Sequence, residues 1–268
     1  MVSRRDILRV ASWGAAAAII QSSTSSQGAE AQNLRKTYVL VHGAGHGGWC
    51  WRHVRNALSD QGHRVFTPTL TGLGERVHLR NSSVSLGMHI TDIVNVIEYE
   101  ELTQVILVGH SYACRVITGV ADQLRDKLHH VVYLDGTMPS DNEATIGNAT
   151  AANAMRAQAI DGYLMKRWPP TMFGITESDV ENTAWLNRRI TEQPLETFLE
   201  PIQLENGGAI GLPKTFIRCT NPRMRNDDTM EKLIAATPDE WRYIELNVPH
   251  DAMIAAPEAL TQILLDIA

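Results

Sequence analysis

The sequence predicts an α/β fold in which a doubly wound, mostly parallel sheet carries an inserted helical cap. Two observations support this fold class: short apolar runs alternate with helical patterns along most of the chain, and the alternation stops between residues 138 and 212. An unbroken apolar run of strand length indicates a strand buried on both faces, as in a parallel sheet with helices on either side. Repeated strand–helix units wind such a sheet.

The individual elements can be assigned in order from residue 37 onward. Strands are predicted at residues 37–42, 64–68, 104–109, 130–135, 214–219 and 241–246, and the clearest apolar runs among them are 37–42 and 104–109. Helical spacing of apolar residues predicts helices at residues 51–60, 84–98, 112–124 and 257–267. Gly62 follows the first helix, where a glycine readily adopts the left-handed conformation that closes a helix.

The segment 138–212 is rich in Ala, Met, Trp and Asn, has helical spacing and contains no clear strand. Because the strand pattern resumes after it, we interpret this segment as a helical cap inserted into the main domain. Its Trp168, Phe173 and Trp185, with several Met side chains, are expected either to line an apolar pocket or to form the core of the cap itself.

Composition limits the kinds of function that the chain can have. Its 268 residues are 44% hydrophobic and 20% charged, which suits one globular domain with a sizeable core. The net charge is −6 and no basic stripe is present, so nucleic acid is not an expected partner. The sequence leaves the oligomeric state undecided, with a homodimer as one option.

The N-terminus has the three parts of a twin-arginine export signal in order. Residues 3–8 read Ser-Arg-Arg-Asp-Ile-Leu, an apolar stretch covers residues 10–20, and residues 29–31 read Ala-Glu-Ala. This order predicts cleavage after Ala31, a periplasmic or secreted domain spanning residues 32–268, and no stable membrane insertion once the signal is removed. A basic tail or a membrane anchor is the alternative interpretation.

Residues 109–113, Gly-His-Ser-Tyr-Ala, lie between the strongest predicted strand and a helix. This is the context of a nucleophile elbow, where small residues on both sides of a serine let a strained turn close. The hydroxyl of Ser111 would then lie at a helix N-terminus, where the helix dipole favours developing negative charge. The pattern predicts Ser111 as the nucleophile, although a serine that merely caps a helix would look similar.

The loop at residues 42–49, His-Gly-Ala-Gly-His-Gly-Gly-Trp, contains a G-x-G-x-x-G pattern. Dinucleotide binding would also require a carboxylate at the end of the second strand, and residues 65–70 contain none. We therefore interpret the loop as part of an oxyanion hole, formed by the backbone N–H groups of Ala44 and Tyr112. The loop histidines, with His110, are expected to shape the pocket.

The catalytic base is predicted at His250, which lies between the last strand and the closing helix. The acid is harder to assign, because the loop after residue 219 has no carboxylate before Asp227 and Asp228. Asp135 ends a buried apolar strand, where a carboxylate is costly unless it has a partner such as an imidazole. We predict Asp135 as the acid and keep Asp227 or Asp228 as the alternative.

Residues 42–51, His-Gly-Ala-Gly-His-Gly-Gly-Trp-Cys-Trp, resemble the opening motif of the plant methylesterase and hydroxynitrile lyase family, which includes the salicylate-binding esterases and has the α/β-hydrolase fold. Residues 71–100 are similar to many bacterial members. The resemblance implies catalytic roles for Ser111, His250 and an acid. In two places the sequence departs from the family: the usual acid position after Cys219 holds no carboxylate, and the elbow ends in Ala113 and a cysteine.

The predicted reaction is hydrolysis of a small carboxylic ester through an acyl-enzyme, which needs no metal or organic cofactor. A hydroxynitrile-lyase-like or cofactor-free oxygenase reaction is one alternative, and a small-aromatic-ligand binding protein with little turnover is another. The lyases of this family carry threonine directly after the loop histidine and lysine directly after the catalytic histidine. Here those positions are Gly43 and Asp251, which favours hydrolysis.

Overall fold

A computed structural model describes residues 35–224 and 228–267 of the chain. The predicted export signal, residues 1–31, and Asp227 lie outside the described residues. In chain order the described strands are β1 (Thr37–Val41), β2 (Arg64–Phe66), β3 (Val105–His110), β4 (Leu128–Leu134), β5 (Leu164–Met165), β6 (Gln193–Pro194), β7 (Lys214–Cys219) and β8 (Trp241–Leu246).

The described α-helices surround this framework and include the four that the sequence predicts. They are α1 (Arg52–Asp60), α2 (Leu86–Tyr99), α3 (Ala113–Gln123), α4 (Ala149–Gln158), α5 (Val180–Asn187), α6 (Glu196–Leu199), α7 (Thr229–Ala236), α8 (Ala252–Ala255) and α9 (Pro257–Leu265). None of the helices in the described ranges has the length and apolar character needed to span a bilayer.

Six strands form one sheet in the order β2-β1-β3-β4-β7-β8, and every neighbouring pair is parallel. The predicted fold class, a doubly wound and mostly parallel sheet, is confirmed. The chain first winds outward from β1 to β2 and then returns to place β3 on the other side of β1. Ligands of such sheets bind at this reversal, at the carboxyl ends of the strands. The loop after β1 and the turn after β3 therefore meet there.

The sheet separates two apolar cores, because side chains alternate between its faces along each strand. One core is formed by residues such as Val39, Leu107 and Tyr133 with α2 and α3. The other is formed by residues such as Leu40 and Val108 with α1 and α9. All six residues of β3 are buried, as the unbroken apolar run predicts.

The segment between β4 and β7 contains α4, α5 and α6 together with an antiparallel pair, β5 and β6. The expectation of no strand in this segment was therefore wrong, although each strand has only two residues. Two residues are too few to show the alternation by which a strand is recognised in a sequence.

Candidate active site

Ser111 lies in the tight turn between β3 and α3, with a left-handed φ of +53°. Its N–H donates a hydrogen bond to the carbonyl of Leu134 at 2.9 Å. Small residues are required around it. A Cβ on Gly109 would lie 2.8 Å from the backbone carbonyl oxygen of Ala113, and a Cβ on Gly136 would lie 2.4 Å from the backbone carbonyl oxygen of Ser111. The turn is strained in the manner of a nucleophile elbow and closes only because these glycines have no side chain.

Asp135 follows β4 and lies against His250 in the loop between β8 and α8. One carboxylate oxygen, Oδ2, is 2.5 Å from Nδ1 of His250, and the other accepts a hydrogen bond from the Cys219 N–H at 3.1 Å. Both side chains are almost completely buried. Since a carboxylate only accepts, Nδ1 carries the hydrogen. In the neutral ring this leaves Nε2 as an acceptor, and Nε2 has no hydrogen-bond partner in the described part of the chain.

The alternative acid, Asp228, lies at the N-terminal end of α7. Its side chain is 63% exposed and forms an ion pair with Lys232 at 2.9 Å. The structure thus brings Asp135, and not Asp228, into contact with His250.

Ala44 and Tyr112 line the same cavity as Ser111 and His250. Within the described residues, neither of their backbone N–H groups donates a hydrogen bond to the protein. The glycine loop lies very close to the elbow, since a Cβ on Gly43 would be 3.2 Å from Cβ of Ser111. Two unpaired N–H groups beside a serine form a suitable site for a developing oxyanion.

His110 and His46 lie behind these groups, where they support the surrounding loops. His110 donates through Nε2 to the backbone carbonyl of His250 at 3.0 Å. Burial, with smaller effects from the neighbouring histidines, lowers the pKa of His110 well below its usual value, so the ring is neutral. Neither His46 nor His110 lines the cavity, so their contacts act on the loops around it.

Asp251 is a residue whose contact the sequence did not reveal. Its Oδ2 lies 3.0 Å from Nε2 of His46, and both side chains are fully buried. Nδ1 of His46 lies 2.8 Å from the Ala44 carbonyl oxygen. Both ring nitrogens face acceptors, and this favours the charged ring, which donates from both nitrogens. Burial alone would lower the pKa of His46, but the charge and hydrogen bond of Asp251 outweigh it and raise the pKa.

The cavity above Ser111 has a volume of about 290 Å³. Its apolar wall comes mainly from the segment between β4 and β7. The apolar side chains are Trp168, Met172, Phe173, Phe198 and Met224. Arg115 and Glu143 form a polar edge and pair with each other at 3.1 Å.

For Trp185, the expectation that it lines the pocket was wrong. Trp185 does not line the cavity; it packs against the ring of Trp49 at 5.2 Å, and Arg52 and Arg189 lie over its ring. Within residues 35–224 and 228–267, no cluster of three or more His, Cys, Asp or Glu side chains could hold a metal ion.

Comparison with known proteins decides the family of this site. The model of the alpha/beta hydrolase family matches residues 38–263. The chain belongs to this family. A carbendazim hydrolyzing esterase from a Nocardioides species is 37% identical over 237 residues, which is 84% of this chain and 96% of that protein. A putative chloroplastic methylesterase of Arabidopsis thaliana is 26% identical over 250 residues, 87% of this chain and 72% of that protein.

Solved structures show the same fold. An extracellular α/β-hydrolase from a Paenibacillus species has a TM-score of 0.73 at 20% identity and covers 86% of this α/β-hydrolase and 98% of its own chain. An Arabidopsis methylesterase has a TM-score of 0.70 at 22% identity, with 86% and 97% covered. With its esterase-named relatives, the chain is an esterase-type member of the family, a carboxylic ester hydrolase.

Proposed function

We propose that this α/β-hydrolase cleaves a small carboxylic ester through an acyl-enzyme on Ser111, with His250 as base and Asp135 as acid. One observation carries the proposal. Asp135 holds Nδ1 of His250 at 2.5 Å, which leaves Nε2 unpartnered in the described residues, in a cavity that Ser111 also lines. This is the arrangement that a serine needs to lose its proton as it attacks.

In the first half-reaction, Nε2 of His250 takes the proton of Ser111 while the serine oxygen attacks the ester carbonyl carbon. The carbonyl oxygen becomes an oxyanion that the N–H groups of Ala44 and Tyr112 stabilise. When this intermediate collapses, the alcohol leaves with the proton from His250, and the acyl group stays on the serine oxygen.

In the second half-reaction, His250 takes a proton from a water molecule that attacks the acyl carbon. The second oxyanion forms in the same hole, and its collapse returns the proton to Ser111 and releases the carboxylic acid. Throughout the cycle, Asp135 keeps the imidazole in one tautomer and stabilises its positive charge.

The cavity favours substrates with a flat apolar part. Its volume of about 290 Å³ is at the small end of ligand pockets, and its wall is largely aromatic side chains and methionines. Relatives are named as methylesterases, which favours an ester of a small alcohol. We propose esters of a small alcohol whose acyl part carries an aromatic group as the substrate class.

The decisive experiment is hydrolysis of short-chain p-nitrophenyl esters and aromatic methyl esters by the wild type and by Ser111→Ala. We expect wild-type turnover and a loss of at least about 10³-fold in kcat for the variant. Absence of turnover in the wild type, together with tight binding of an aromatic ligand by both proteins, would indicate a binding protein and overturn the proposal.

The environment of Gly43, the position where the family's lyases carry threonine, argues against the lyase alternative. A Cβ at this position would lie 2.8 Å from Nδ1 of His110, closer than real Cβ contacts, so a threonine there would force His110 to move. The lysine position is occupied by Asp251, which is already paired with His46.

A further inference from the structure

His42 is fully buried at the carboxyl end of β1 and does not line the cavity. Both of its ring nitrogens have a backbone partner. Nε2 lies 3.0 Å from the nitrogen of Leu70, and Nδ1 lies 2.8 Å from the carbonyl oxygen of Gly43. A backbone N–H only donates and a carbonyl only accepts, so Nε2 is bare and Nδ1 carries the hydrogen. Burial lowers the pKa of His42 to about 3, which keeps this neutral tautomer at working pH.

The carbonyl that His42 binds belongs to the peptide unit that contains the N–H of Ala44. In a planar trans peptide the carbonyl and the N–H point in opposite directions, so fixing one fixes the other. The N–H of His46 also donates to the Gly43 carbonyl, at 3.3 Å. The Ala44 N–H is thereby directed away from His42, and Ala44 lines the cavity beside Ser111.

The next peptide unit is held separately and points elsewhere. Its carbonyl, on Ala44, accepts from Nδ1 of His46 at 2.8 Å, and its N–H, on Gly45, donates to the side-chain oxygen of Gln193 at 2.9 Å. The Gly45 N–H is therefore committed to the segment between β4 and β7. Of these two consecutive N–H groups, the Ala44 N–H is the one left available for a substrate oxygen.

We propose that His42 is a positioning residue of the oxyanion hole, because its Nδ1–H holds the Gly43–Ala44 peptide with the Ala44 N–H aimed into the cavity of Ser111. A hydrogen bond to the carbonyl of a peptide also polarises its N–H, which strengthens the bond that this N–H makes to an anion. This inference rests on the proposed esterase function, because it names the residue that holds the Ala44 N–H, one of the two oxyanion donors of that function, in place.

The bond to Leu70 offers a competing explanation, in which His42 only stabilises the loop after β2. Two substitutions separate the two bonds. An asparagine amide nitrogen reaches roughly the place of Nδ1 and can donate to Gly43, while a glutamine side-chain oxygen reaches roughly the place of Nε2 and can accept from Leu70. His42→Asn thus keeps the bond to the oxyanion peptide, and His42→Gln keeps the bond to the loop.

The experiment compares the wild type, His42→Asn and His42→Gln in p-nitrophenyl ester hydrolysis and in the affinity for phenylboronic acid, which becomes a tetrahedral anion on a serine. For His42→Gln we expect kcat to fall by about 10²-fold, near the effect of losing one oxyanion donor, and the boronate affinity to fall with it. KM should change little, because the lost interaction acts in the transition state. His42→Asn should restore most of kcat and of the boronate affinity.

Two results would overturn the inference: His42→Gln with wild-type kcat and boronate affinity, or His42→Asn as impaired as His42→Gln. If a variant fails to fold, nitrogen NMR of the wild type tests the same point, since a ring protonated on Nε2 or on both nitrogens at neutral pH contradicts the proposed bond. A wild type without ester turnover and without Ser111-dependent boronate binding would instead refute the esterase proposal itself.

Discussion

At the scale of single residues, the contact with His250 separates the predicted acid, Asp135, from the alternative carboxylate, Asp228. Asp135 is 3% exposed, and both of its oxygens are occupied, one by the imidazole and one by the Cys219 N–H. A buried carboxylate in this position stabilises an imidazolium because little water screens the pair.

Asp135→Asn is therefore expected to lower kcat by about 10³–10⁴-fold, because an amide no longer selects the required tautomer of His250. Asp228→Asn is the matched control and should retain wild-type kcat, since its carboxylate is exposed and bound to Lys232. Steady-state kinetics on one ester measures both. Near-full activity of Asp135→Asn with a large loss in Asp228→Asn would show that the assignment is wrong.

A second residue-scale prediction concerns Gly43. In Gly43→Ala the new methyl group would meet Nδ1 of His110 at 2.8 Å and Cβ of Ser111 at 3.2 Å, so the oxyanion loop or the elbow must shift. A displacement of about 1 Å near the reacting atoms costs roughly 10²-fold in rate, and we expect a fall in kcat of that order. Gly147→Ala is the control, because its nearest neighbour would be 3.7 Å away. Equal activity of both variants would contradict the close approach.

At the scale of elements, the buried pair of His46 and Asp251 joins the loop after β1 to the loop that carries His250. The raised pKa of His46 makes this pair depend on pH. A group with a raised folded pKa adds stability that is complete below its unfolded value of about 6.5 and is lost as pH rises through the folded pKa. The other ionisable side chains near this pair are His42, His110 and Cys50. They are present both in the wild type and in a variant at Asp251.

In Asp251→Asn, His46 can keep both hydrogen bonds as a neutral ring, with Nε2 accepting from the amide. The wild type should therefore have its largest stability advantage over this variant near pH 6, and the advantage should shrink as pH rises. Urea unfolding of both proteins across this pH range measures the difference. An advantage that grows with pH, or that does not change, would contradict a charged His46.

The segment between β4 and β7 is tied to the same loop from its own side. Gly45 donates to Gln193 and accepts from the N–H of Thr191, both at 2.9 Å. Gln193→Leu would leave the buried Gly45 N–H without a partner, and this should lower the free energy of unfolding by about 1–3 kcal/mol. Gln203→Leu, at an exposed position, is the control and should change this free energy little. Equal stability of the two variants would show that the Gln193 bond is unimportant.

At the scale of the whole molecule, alternate residues of each strand point to opposite faces of the sheet. Each face packs against its own helices and forms one of the two cores. The loops that carry the site follow the carboxyl ends of the strands. Glycine loop, elbow and His250 loop gather at that edge, so large changes in the substrate wall are compatible with an unchanged scaffold.

The sequence of residues 1–31 predicts that the whole protein is exported. In a bacterium with a twin-arginine pathway, replacing Arg4 and Arg5 together by lysine should leave uncleaved protein in the cytoplasm. Cell fractionation with antibody detection measures this, with the wild type as the exported control. Unchanged periplasmic yield of the variant would contradict the signal assignment.

Most of the fold could be predicted because its signals are local. The apolar run of β3, which burial on both faces of the sheet explains, and the helical spacing of α2 each lie within one element. The strands β5 and β6 could not be predicted, because two residues show no period.

The sequence by itself determined the alternating fold, the elbow at Ser111 and a histidine before the closing helix, since each is a pattern of a few consecutive residues. Only the tertiary structure decided which carboxylate meets His250 and that Asp251 pairs with His46, across 205 residues of chain. The physical reason is that these contacts depend on the order of strands in the sheet. Because the sheet is parallel, the carboxyl ends of β1, β4 and β8 lie along one edge, and their loops, which are far apart in the chain, meet there.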